Sequence, residues 1–61
     1  MIEEEKYYVV IGMEAYGGSF AKGVGTALRR ADHINTRKIR ETWPELWQQY
    51  LEMGKKSEEK K

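Results

Sequence analysis

The run Tyr16-Gly17-Gly18-Ser19-Phe20 sets a helix-ending signal against a helix-starting one, and it constrains the fold more than any other stretch of the chain. Gly17 is suited to the left-handed residue that closes one helix, and Ser19 to the cap that opens the next by accepting a hydrogen bond from a first-turn amide. A chain of 61 residues with such a corner near residue 17 reads as one domain of short packed helices. A chain this short buries only about 60% of the surface its unfolded form exposes, so the means of stabilisation matters. There is no cysteine, and the lone His33 has no clustered ligand partner, so neither disulfides nor a structural metal is expected. Seven large rings, Tyr7, Tyr8, Tyr16, Phe20, Trp43, Trp47 and Tyr50, are more than one small core readily hides, which favours a homo-oligomer or a protein that meets a partner.

Residues 2–16 carry conflicting signals. Tyr7-Tyr8-Val9-Val10-Ile11 is rich in strand formers, whereas Glu3-Glu4-Glu5 ahead of it and Gly17 behind it suit a helix. Helix is favoured, with strand as the alternative; helical spacing then places Ile2, Val9, Met13 and Tyr16 on one stripe, and Gly12 counts against it. A second helix is predicted from Ser19 to about Ala31, burying Phe20, Val24, Ala27, Leu28 and Ala31 and turning Lys22, Thr26, Arg29 and Arg30 outward. Gly23 and Gly25 each cost that helix about 1 kcal/mol relative to alanine, which points to close approach by a neighbouring helix or by a ligand. Asp32, or else Asn35 or Thr36, caps a short third helix in which Ile39 and Trp43 share a face. Pro44 is placed as the first residue of a fourth, whose apolar face is Trp43, Leu46, Trp47, Tyr50 and Leu51 and whose stop is Gly54. The expected architecture is all-α, three or four short helices in a small bundle over residues 1–54, with 55–61 a charged, disordered tail.

Net charge is +1, but its distribution is uneven. Residues 1–16 hold four Glu and one Lys, while residues 22–43 hold six Lys or Arg against Asp32 and Glu41, a local excess of +4. That asymmetry suits an anionic ligand, or a basic face of one subunit against an acidic face of another. The longest apolar run, Tyr7–Ile11, is far too short to cross a bilayer, and no basic segment precedes it, so a cytoplasmic protein without leader or span is expected.

The candidate ligand site follows from the corner. Gly17 and Gly18 let an anion approach the backbone, the free amides at the Ser19 helix start point outward, and Lys22, Arg29 and Arg30 supply charge for phosphate oxygens. Tyr16, Phe20 and Trp43 are the candidates for stacking on a base. The competing reading is structural: a tight corner needs glycine and a cap, and a basic helix face is commonly just solvated. The spacing matches neither a Walker loop nor a dinucleotide fingerprint. Arg37, Lys38 and Arg40 extend the basic set without a recognisable nucleic-acid reading motif, so nucleic acid is not the expected partner. His33 beside Asp32 lacks a nucleophile and an orienting group, so His33 is read as a surface residue, no catalytic residue is assigned and no cofactor is expected.

With Tyr-Gly-Gly-Ser-Phe at 16–20, Lys22, Ala31-Asp32, Asn35, Trp43-Pro44-Glu45, Trp47 and Tyr50, the chain resembles short uncharacterised phage and prophage proteins over roughly residues 13–50. It departs from their pattern at Gly23 and Gly25. The resemblance implies a phage protein working in the host cell, and tiny phage proteins without enzymatic activity commonly act by occupying something the host needs. Two functions fit: a binder that sequesters a phosphate-bearing, nucleotide-derived immune signal to counter host defence, and a small module that docks on a host or phage protein to inhibit or scaffold it.

Overall fold

The computed structural model describes residues 2–59, which form four α-helices: α1 (Ile2–Tyr16), α2 (Ser19–Arg30), α3 (His33–Thr42) and α4 (Pro44–Glu59). The all-α reading holds, and the ambiguous segment around Tyr7–Ile11 is helical. Burying it explains how strand-forming residues come to lie in a helix: Val9, Val10 and Met13 pack into the core, and that gain outweighs a weak backbone preference. The core is completed by Ala21, Val24 and Leu28 from α2 and by Trp47, Tyr50 and Leu51 from α4, so α1 is the central element, packed against both α2 and α4.

Glycines set how closely the helices approach. A Cβ at Gly54 would overlap the carbonyl oxygen of Tyr8 and sit 2.7 Å from its carbonyl carbon; one at Gly12 would overlap the Tyr50 carbonyl and lie 3.2 Å from the Gly54 amide nitrogen. Gly12 and Gly54 thus face each other where α1 and α4 cross, and backbone meets backbone there. This corrects the sequence-based view of Gly54 as a helix stop: α4 runs through it to Glu59, so Lys55–Glu59, expected in a disordered tail, continue the helix, and Lys60 and Lys61 lie outside the described residues. Tyr7 Oη donates to Glu58 Oε1 at 2.9 Å, tying that last turn back to α1.

The corner at 17–18 is built differently from the sequence expectation. No glycine among the described residues has a positive φ, so Gly17 is not a left-handed cap. Its amide instead continues the helix by donating to Met13 O at 3.0 Å, and it must be glycine because a Cβ would lie 2.5 Å from both Met13 O and the Ala21 Cβ. Gly18, not Ser19, is the N-cap of α2: its carbonyl accepts from the Lys22 amide at 2.9 Å, and no side chain caps the helix. At the other end Lys6 Nζ donates to Ala31 O at 2.8 Å, placing a cation on the carbonyl end of α2, where the helix dipole favours it.

Asp32 caps α3 as its sequence context suggests, its carboxylate accepting from the Asn35 amide at 2.8 Å. Trp43 closes α3 by donating its amide to Ile39 O, and its own carbonyl opens α4 by accepting from the Trp47 amide, with Pro44 at the first helical position. Thr36 is the buried residue of α3; the Asp32 carbonyl receives its amide, while its hydroxyl has no hydrogen-bond partner among the described residues.

Candidate functional site

The connection Ala31-Asp32 folds α3 back along α2, and the two helices enclose a groove. Residues three, four and seven apart share one face of a helix. Phe20, Gly23, Val24, Ala27 and Arg30 therefore line the α2 wall, and Asn35, Lys38, Ile39 and Thr42 line the α3 wall. The groove has two adjoining, largely open halves of about 450 Å³ and 460 Å³, which share Ala27, Ile39 and Trp43.

The halves differ in chemistry. One is apolar, with Phe20 and Trp43 in edge-to-face contact at 5.7 Å between ring centroids and both rings well exposed, at 61% and 40%. The other carries Arg30, Lys38 and Asn35. Among the described residues neither half contains a carboxylate, whereas the groove along α1 includes Glu3 and Glu14 and the one beside Trp47 includes Glu5 and Glu41. Pairing follows the same division. Arg29 is bound to Glu14, and Arg40 lies 3.8 Å from Glu5, which also accepts the Trp47 Nε1 hydrogen at 3.0 Å; Arg30 and Lys38 have no ion-pair partner among the described residues.

Of the residues singled out in the sequence, Ser19, Phe20, Arg30 and Trp43 line this groove. The others do not join them. Gly17 is buried in the corner, while Gly18 and Lys22 are exposed and line none of these grooves. Arg29 faces the α1 side in its ion pair with Glu14, and Tyr16 is exposed at the end of α1. Phe20 and Ala27, expected in the core, are exposed on the groove face, and Ala31 is half-buried. The two glycines that interrupt α2 separate cleanly: Gly25 meets the Met13 side chain, with a Cβ placed 3.0 Å from that of Met13, whereas Gly23 opens onto the groove with nothing within 4 Å.

Lys38, Ile39 and Thr42 as one wall were not singled out, although their spacing from Asn35 is helical; which face of α3 meets α2 depends on the turn at Ala31-Asp32. His33 is exposed, its Nδ1 3.5 Å from Glu3. Among the described residues no three His, Asp or Glu side chains gather as a metal site would require, and no helix is long and apolar enough to cross a membrane. Compared with protein-family models, curated proteins and solved structures, the chain matches none.

Proposed function

We propose that the protein is a non-catalytic binder that sequesters a phosphate-bearing small molecule, with the groove between α2 and α3 as its site. The observation that carries this reading is that, among the described residues, Arg30 and Lys38 are unpaired in a groove that no carboxylate lines, beside an exposed aromatic pair. An anion gains most where cations are not already neutralised, and a planar base gains by stacking on an uncovered ring. Ser19 and Phe20, at the start of α2, line the apolar half of the groove, whereas Gly18 and Lys22 lie outside it. The resemblance to phage proteins supplies the setting: a nucleotide-derived immune signal held away from its receptor in the host cytoplasm, returned chemically intact when the binder is denatured.

The test is a thermal-shift screen of the full chain against nucleotides and nucleotide sugars, with native mass spectrometry reading subunit and ligand counts. A ligand at 100 times its Kd adds about 2.7 kcal/mol of stability. Trp43→Ala and Arg30→Glu should abolish the shift while the helical circular dichroism persists, and a panel without any shift refutes the reading. One observation favours the second function: Ile34, 64% exposed on α3, joins Phe20 and Trp43 as uncovered apolar surface of the kind a protein partner covers.

A further inference from the structure

We propose that the groove takes a linear nucleotide carrying two or three phosphates, its base at the Phe20/Trp43 end and its terminal phosphates at the Arg30/Lys38 end. This rests on the reading that the groove binds a nucleotide, and it adds the orientation and the class. The groove differs from one end to the other. α2 and α3 run antiparallel, so Phe20 meets Trp43 at one end and Arg30 stands near Asn35 and Lys38 at the other. Ten residues separate Phe20 from Arg30, roughly 15 Å along the helix at 1.5 Å per residue.

Between the ends the floor is Ala27 and Ile39, whose side chains offer no hydrogen bond to a phosphate. A cyclic dinucleotide has two bases flanking a central pair of phosphates, so it asks for rings at both ends and cations in the middle. Here Phe20 lines only the apolar half, Arg30 and Lys38 only the other, and Trp43 lies where the two halves join. A linear nucleotide runs base, sugar, phosphates in the same sequence. Arg30 and Lys38 stand on opposite walls, so each can meet a separate phosphate of a di- or triphosphate, whereas a monophosphate offers one group to both. The Asn35 side-chain amide adds two N–H donors at the phosphate end. Asp32, which follows the lining residue Ala31, does not itself line the groove, and its carboxylate is engaged as the cap of α3.

The experiment is calorimetric titration of the full chain with ATP, ADP, AMP, adenosine and cyclic di-AMP. Affinity should fall about threefold to tenfold with each phosphate removed, the range expected when one ordinary hydrogen bond is lost. Added salt should weaken ATP more than AMP. The double variant Arg30→Glu, Lys38→Glu should flatten the series, and Trp43→Ala should weaken every nucleotide by a similar factor. Both cations are exposed, so the charge-reversed chain keeps its fold, verified by circular dichroism. Cyclic di-AMP binding more tightly than ATP, or affinity independent of phosphate number, overturns the inference and leaves the nucleotide reading standing. Failure of every nucleotide to bind overturns both.

Discussion

Gly54→Ala tests the account of how the bundle closes, because local propensity and tertiary packing predict opposite signs. In an open helical position alanine is about 1 kcal/mol better than glycine. At residue 54 the added Cβ would stand 2.7 Å from the Tyr8 carbonyl carbon, and neither backbone can yield locally. Ordinary carbon contacts begin near 3.5 Å, so α4 must lift from α1 by at least about 0.8 Å, and by more to clear the overlapping Tyr8 carbonyl oxygen. A gap of that order forfeits at least a quarter of the dispersion attraction across it. The α1/α4 half of the core comprises Val9, Met13, Trp47, Tyr50 and Leu51, and each such side chain is worth about 2 kcal/mol when buried. The loss is about 2.5 kcal/mol, and after the propensity gain about 1.5 kcal/mol of net destabilisation remains. For a domain this small that lowers Tm by roughly 6–12 °C. Gly23→Ala is the control, since its Cβ meets nothing within 4 Å and should raise Tm through a gain of up to about 1 kcal/mol. Thermal melts by circular dichroism read both. A Gly54→Ala protein melting at or above the parent temperature would refute the crossing as described.

Two further outcomes follow from the helix ends. Asp32→Ala should cost about 1 kcal/mol of urea-unfolding stability, because it removes the carboxylate that receives the Asn35 amide, while Ser19→Ala should leave the urea midpoint nearly unchanged, since that hydroxyl caps nothing; a larger effect at Ser19 would contradict the corner geometry. The hydrogen bond to Glu58, and that carboxylate's charge, hold the Tyr7 phenol above its ordinary pKa. A group whose folded pKa is raised contributes stability that is present below the unfolded value and lost as pH rises through the folded one, so the Tyr7 contribution disappears only above about pH 10. Ultraviolet titration of tyrosinate should show one late ionisation that Glu58→Gln moves earlier; an unchanged titration would mean that the contact does not persist in solution.

Features settled by neighbours in sequence were legible before the structure. Pro44 opens α4 and Asp32 caps α3, because each acts through its own turn of backbone. Gly12 and Gly54 were misjudged for the opposite reason: in isolation each resembles a helix breaker, and only the partner backbone, Tyr50 for one and Tyr8 for the other, shows why a side chain is excluded. The corner misled more subtly. Gly18 and Ser19 are both acceptable N-caps, and a shift of one residue removes Ser19 from that role. For the groove, periodicity identified an amphipathic α2 but placed Phe20 and Ala27 inside, since helical spacing cannot distinguish a face turned to the core from one turned to a cleft. Arg29 and Arg30 are adjacent in sequence and equally basic, yet Glu14 takes the first and leaves the second unpaired, a distinction that exists only in three dimensions.

α3 rests on little. Thr36 is its buried side chain, Ile39 is half-buried, and two ion pairs, Glu5 with Arg40 and Glu3 with His33 when protonated, tether it to α1. The free energy of local opening tracks buried contact, so the amides of His33–Thr42 exchange with solvent ahead of those in α1 and in the middle of α4. This loosely seated helix is also one wall of the cleft. If the proposed ligand bridges Arg30 and Lys38, amide exchange along α3 should slow when it is added, and unchanged exchange there would count against that bridge.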